Sequence, residues 1–189
     1  MQESILKKEI LVNKAFCQLL AVLAFVVLIT LGAFVRVPLP FTPVPITLQT
    51  MFVLLSGALL GSNLGLITQV LYVVLGISGL SVFTGASNSG LYLAGPTGGY
   101  IFGFVIAALL VGRLLQGKRH TFFSVCVALC AGDAVILGCG VIWLKALFGL
   151  TFAKALLIGA FPFLIGDALK ITIAAALTLR IKPRLREIL

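Results

Sequence analysis

The stretch from Val37 to Gly112, VPLPFTPVPITLQTMFVLLSGALLGSNLGLITQVLYVVLGISGLSVFTGASNSGLYLAGPTGGYIFGFVIAALLVG, decides the fold class. It runs for 76 residues, between Arg36 and Arg113, without one Asp, Glu, Lys, Arg or His. One membrane-spanning helix needs about 20 apolar residues, so a run of this length belongs in lipid and crosses it more than once. Its internal punctuation sets the organisation. Pro38, Pro40, Pro43 and Pro45 forbid a helix and predict an extended loop. Ile46 to Leu60 and Leu64 to Ile77 are apolar runs parted by the turn sequence Gly61-Ser62-Asn63, which predicts a hairpin of two short helices. From Ser78 to Gly99 the chain carries six glycines among Ser, Thr and Asn. Irregular backbone of that kind is tolerated at membrane depth only where protein or a cavity satisfies its amides.

Working outward, an apolar run from Ala15 to Val35 follows Lys7, Lys8 and Lys14, and is too long for the apolar core of a secretory signal. Further apolar segments follow the central stretch, the last of them carrying Pro162. The reading is an all-α integral membrane protein, one membrane domain over residues 1–189, with six transmembrane helices at about 15–35, 46–60, 64–77, 100–116, 121–144 and 154–180. Composition agrees: 61% of residues are hydrophobic and 10% charged, against about 25% charged in a soluble domain. Such a bundle leaves no room for a soluble catalytic or nucleotide-binding domain.

The net charge of +9 is gathered in short clusters beside apolar spans, which reads as topology and implies no nucleic-acid partner. With both termini cytoplasmic, that side holds ten cations: Lys7, Lys8, Lys14, Arg113, Lys118, Arg119, Arg180, Lys182, Arg184 and Arg186. The outside then holds three, Arg36, Lys145 and Lys154. The expected location is a multi-pass position in the cell membrane, with the Pro-rich loop and the Gly-rich segment facing outward. Cys17, Cys126, Cys130 and Cys139 all fall in apolar runs and read as packing residues.

Three ionisable residues lie inside spans: Asp133, Asp167 and Lys170. Each costs roughly 2.5 to 3.5 kcal/mol at a helix centre, so each needs a partner. Asp167 and Lys170 are three apart on one helix face, where they form either a structural ion pair or a joint acceptor and donor for a ligand. Asp133 reads as structural. Among uncharged residues, Gln49, Asn88 and Tyr92 are candidates to line the same outward pocket, with Asn88 otherwise a turn residue and Gln69 a helix-packing residue. Such a pocket suits a compact, partly apolar ligand with a few hydrogen-bonding groups. The uncharged loop with Leu39, Phe41 and Thr42 reads as a lid over it, because a merely connecting loop outside the membrane would be hydrophilic.

Enzyme readings fail on residue types. The lone histidine, His120, lies among cations and supplies no base for a serine, no zinc motif with paired histidines occurs, and no phosphate loop ends in Lys-Ser or Lys-Thr. No metal or cofactor is expected, and any energy for transport comes from elsewhere.

Residues 38–49 (PLPFTPVPITLQ), 95–104 (GPTGGYIFGF) and 166–170 (GDALK) resemble the BioY family, the biotin-binding S components of energy-coupling factor transporters. The resemblance covers nearly the whole chain. It implies an S-component-like bundle of six helices, high-affinity capture of biotin from outside, and partnership with a transmembrane coupling subunit and two cytoplasmic ATPases. On that reading Asp167 accepts from a ureido N–H of biotin, and Lys170 or Asn88 donates to its carbonyl. The Ala-x-x-x-Ala pair that often docks the coupling subunit is absent from helix one, where Cys17 and Ala21 are the nearest small pair. The alternative is a self-contained proton-coupled carrier of a small organic acid or another vitamin, with Asp133 or Asp167 as the proton site.

Overall fold

The structure, a computed structural model, describes the backbone of residues 2–83, 89–117 and 120–188, and the side chains of 14–83, 92–117 and 120–185. Lys118 and Arg119 of the basic cluster lie outside the described residues. The elements in order are α1 (Gln2–Phe34), β1 (Arg36–Val37), β2 (Ile46–Thr47), α2 (Gln49–Ile77), α3 (Ser89–Ala94), α4 (Gly98–Leu114), α5 (Phe122–Phe148), α6 (Phe152–Gly159) and α7 (Leu164–Ile188).

Although α2 is continuous by its hydrogen bonding, it cannot be one rod. Gln49 and Tyr72 would stand about 34 Å apart along a straight helix of that length, yet the Gln49 side chain donates to the Tyr72 hydroxyl at 2.6 Å. Gln69 likewise donates to Ser56 across the fold, at 2.8 Å. The chain reverses at Gly61, whose φ of 84° and ψ of −177° lie in a region open essentially to glycine alone. The expected helical hairpin is therefore present, joined at the first residue of the predicted turn, and Gln69 does pack helix on helix.

Several expected boundaries shift, and α1 begins at Gln2 where the sequence placed helix one from about residue 15. Ile46–Thr47 begins no helix; it pairs antiparallel with Arg36–Val37 and so closes the Pro-rich loop at its base. The predicted sixth helix is two, α6 and α7, bent by 53°. Pro162 has no N–H to continue the ladder and its ring crowds the preceding turn. The break leaves the Gly159 carbonyl free, because Phe163 N–H bonds to Ala160 instead. Elsewhere, α5 runs on past the predicted end to Phe148, with Lys145 exposed near its C-terminus. Part of the Gly-rich segment is helical as α3.

By length and composition three helices can cross a membrane, Lys14–Phe34, Gln49–Ile77 and Phe122–Phe148, or four if the bent pair α6 and α7 counts as one. The polarity of the bundle is that of a protein in lipid: Ile165 is 87% exposed while Gln69 is 0% exposed. Phe16, Leu31, Ile106, Val127, Ile142 and Leu169 also point outward. With lipid as apolar as leucine, association rests on close backbone approach and buried polar contacts. A methyl group at Gly57 would strike the backbone of Ala108, which shows how tightly α2 and α4 are packed.

Candidate functional site

The α6–α7 break places Asp167 in the first turn of α7, where its N–H bonds back to Phe163 O at 2.8 Å. One turn on, Lys170 Nζ donates to Asp167 Oδ1 at 2.8 Å and to Thr50 Oγ1, at the start of α2, at 3.1 Å. Both charged side chains are buried. This accounting leaves two functions unused. Asp167 Oδ2 has no hydrogen-bond partner among the described residues, and an ammonium has three protons, of which two are spent here.

Both residues open onto a cavity of about 500 Å³, mouth included, walled by the β1–β2 hairpin, α2, α3, α4, α5 and α7. The wall is apolar over most of its extent, with Ile101, Phe104, Leu137 and Phe163, and Gln49, Thr50, Tyr92, Thr97, Asp167 and Lys170 bring polar groups to it. Two aromatic contacts brace the wall: Tyr92 stacks on Phe83 at 5.3 Å, and the Tyr100 hydroxyl donates to Gly159 O at 2.7 Å, satisfying the carbonyl that the α6–α7 break frees. The turn between α3 and α4 is held by Trp143, whose indole N–H donates to Gly95 O at 2.9 Å. The base of the Trp143 side chain and the Cys139 carbonyl sit where a side chain at Gly99 would lie, so residue 99 has to be glycine for α4 to start there.

Of the residues singled out in the sequence, Asp167, Lys170, Gln49 and Tyr92 meet at this cavity. Asn88 lies outside the described residues. The Pro-rich hairpin reaches the cavity with Val44, Pro45 and Thr47, whereas Leu39, Phe41 and Thr42 are not on its wall. Phe41 is 61% exposed, and Thr42 turns inward to accept the Val44 N–H at 3.3 Å. Asp133 is buried one turn along α5 from the wall residue Leu137, with its Oδ1 unpartnered among the described residues. Thr50, Thr97, Tyr100 and Phe163 were not picked out by sequence, because they become wall residues only when α2, α4 and α7 converge. The local signal at Thr50 was only a hydroxyl next to Gln49.

A sequence profile of the BioY family matches residues 6–187. The chain belongs to the BioY family. Among BioY relatives, the biotin transporter BioY of Thermotoga maritima is 39% identical over 170 residues, covering 87% of this chain and 95% of the relative. The probable biotin transporter BioY of Pyrococcus horikoshii is 38% identical, covering 84% and 91%. The fold matches the crystal structure of the S-component for biotin from an ECF-type ABC transporter, with a TM-score of 0.75 and 26% identity over 94% of this chain and 92% of that one. This BioY chain is a multi-pass membrane protein.

Proposed function

We propose that this chain is the biotin-capturing S component of an energy-coupling factor transporter, a binding subunit for uptake and not an enzyme. The observation that carries the reading is the half-used ion pair in the cavity. Asp167 Oδ2 remains to accept a hydrogen bond, and Lys170 retains one N–H beyond those given to Asp167 and Thr50. The ureido ring of biotin offers N–H donors and a carbonyl acceptor, the matching set, and its thioether ring suits the apolar wall. A pair built only for structure would be expected to use both carboxylate oxygens, since an unsatisfied buried one costs about 1–3 kcal/mol or more.

The finer features follow the family pattern. The two arms of α2, with α1, α4, α5 and the bent α6–α7, make six passes, both termini are cytoplasmic, and the cavity opens outward. A transmembrane coupling subunit and two ATPases supply the energy. The β1–β2 hairpin, which reaches the wall through Val44, Pro45 and Thr47, is the lid. Calorimetric titration of biotin into detergent-purified protein tests the core of this: nanomolar affinity without ATP hydrolysis is expected, and no binding would end it. Asp133, buried near the cavity with one oxygen unpartnered, favours the second reading, a proton-coupled carrier. Biotin accumulation in liposomes driven by a pH gradient, with this chain alone, would establish that reading instead.

A further inference from the structure

Gln49 and Tyr72 form a hydrogen-bonded pair in which the direction of each bond to the Tyr72 oxygen is fixed. Tyr72, fully buried in the returning arm of α2, has one hydroxyl proton, and it goes to Val82 O at 3.0 Å. Toward Gln49 the Tyr72 oxygen is therefore an acceptor, and the Gln49 amide donates to it through Nε2 at 2.6 Å. The reversed amide would set Oε1 against a hydroxyl oxygen whose proton is already committed, a repulsive contact. The Tyr72 ring is itself held, edge to face, by Phe83 at 5.2 Å. One face of Gln49 is thus fixed from behind. Its Oε1 is not among the buried oxygens left without a partner, and the side chain lines the cavity with Asp167 and Lys170.

We propose that Gln49 is a specificity-determining acceptor for the ligand, and that Tyr72 is a positioning residue that holds the Gln49 amide oxygen toward the cavity. This rests on the biotin reading and deepens it. Asp167 Oδ2 and Gln49 Oε1 are two acceptors, and the third N–H of Lys170 is one donor. A cyclic urea presents the complement: two N–H groups flanking one carbonyl. The cavity selects such a ring over one that lacks either N–H, because a missing donor leaves an acceptor covered by the ligand and unsatisfied.

The test pairs protein variants with ligand analogues by calorimetry. The analogues are two cyclic carbamates of biotin, each with one ureido N–H replaced by ring oxygen. Wild-type protein is expected to bind biotin and to bind either carbamate at least about tenfold more weakly. Gln49→Leu is expected to bind biotin about tenfold more weakly and to lose the discrimination against one carbamate while keeping it against the other, whose missing N–H faces Asp167. Tyr72→Phe keeps the ring packing and removes only the hydroxyl. It frees the amide to turn and is expected to narrow the same discrimination without abolishing binding. Undiminished biotin affinity in Gln49→Leu, or unchanged discrimination in Gln49→Leu, would overturn the role of Gln49. Unchanged discrimination in Tyr72→Phe would overturn the lock. Failure of the wild type to bind biotin at all would instead overturn the transport reading on which both rest.

Discussion

Replacing Asp167 by asparagine changes two things of opposite consequence for interpretation, and the structure separates them. On the ligand side, a charged acceptor becomes a neutral amide. A hydrogen bond to a charged group is worth about 1.5–3 kcal/mol, so biotin affinity is expected to fall roughly 10- to 150-fold. On the protein side, Lys170 loses its counter-charge at 2.8 Å and keeps only neutral acceptors, the amide oxygen and Thr50. Leaving one partner of a buried pair uncompensated costs about 3–5 kcal/mol, so the single variant is also expected to be less stable. The double variant Asp167→Asn with Lys170→Met removes both charges and is expected to recover much of that stability, since an apolar replacement of a buried pair is often neutral or better. Its biotin affinity should stay low. Calorimetry for binding and thermal unfolding in detergent for stability, on monodisperse fractions, give the two readouts. A double variant that is stable and binds biotin as the wild type does would refute the ligand role and leave the pair purely structural.

Thr50→Val, which removes the hydroxyl that accepts from Lys170 at 3.1 Å, is expected to weaken biotin binding about tenfold, with Thr50→Ser restoring most of it, as calorimetry would show. For the hairpin lid, exposed Phe41 is a better labelling site than buried Thr42. In a background lacking the four native cysteines, a spin label at Phe41→Cys is expected to lose mobility on saturation with biotin, and an unchanged spectrum would remove the lid from the mechanism. Gly61→Ala forces a side chain into the conformation at φ 84°, which is expected to cost about 1–3 kcal/mol and to lower the unfolding temperature with little effect on biotin affinity.

Much of the fold was legible because the bilayer imposes a simple rule on each segment. Length and the absence of charge identify spans, and Gly61-Ser62-Asn63 announced the reversal within α2 since only glycine is at ease there. Pro162 was visible as well, but a proline inside an apolar run is compatible with either a kink or a full break. Here the break is supported from a distance, by the Tyr100 hydroxyl on Gly159 O at 2.7 Å, a contact between residues 59 apart in the chain.

The candidate site divides in the same way. Asp167, Lys170 and Gln49 stood out in the sequence alone, because a charge or an amide inside an apolar span is costly and calls for a partner wherever the helices go. Local spacing even paired the first two, being three apart on one helix. Which groups share the cavity with them was decided by tertiary structure. Thr50, Tyr72, Phe163 and Tyr100 are ordinary residues for their positions, and their roles arise from distances between helices that no local pattern encodes. The same holds for the hairpin, whose prolines were plain to read while the two-residue pairing of Arg36–Val37 with Ile46–Thr47 turned Val44 and Pro45, in place of Leu39 and Phe41, to the cavity. Solvent preference acts on each residue separately and is written in its type; hydrogen-bond geometry acts between residues far apart in sequence and exists only once the bundle has closed.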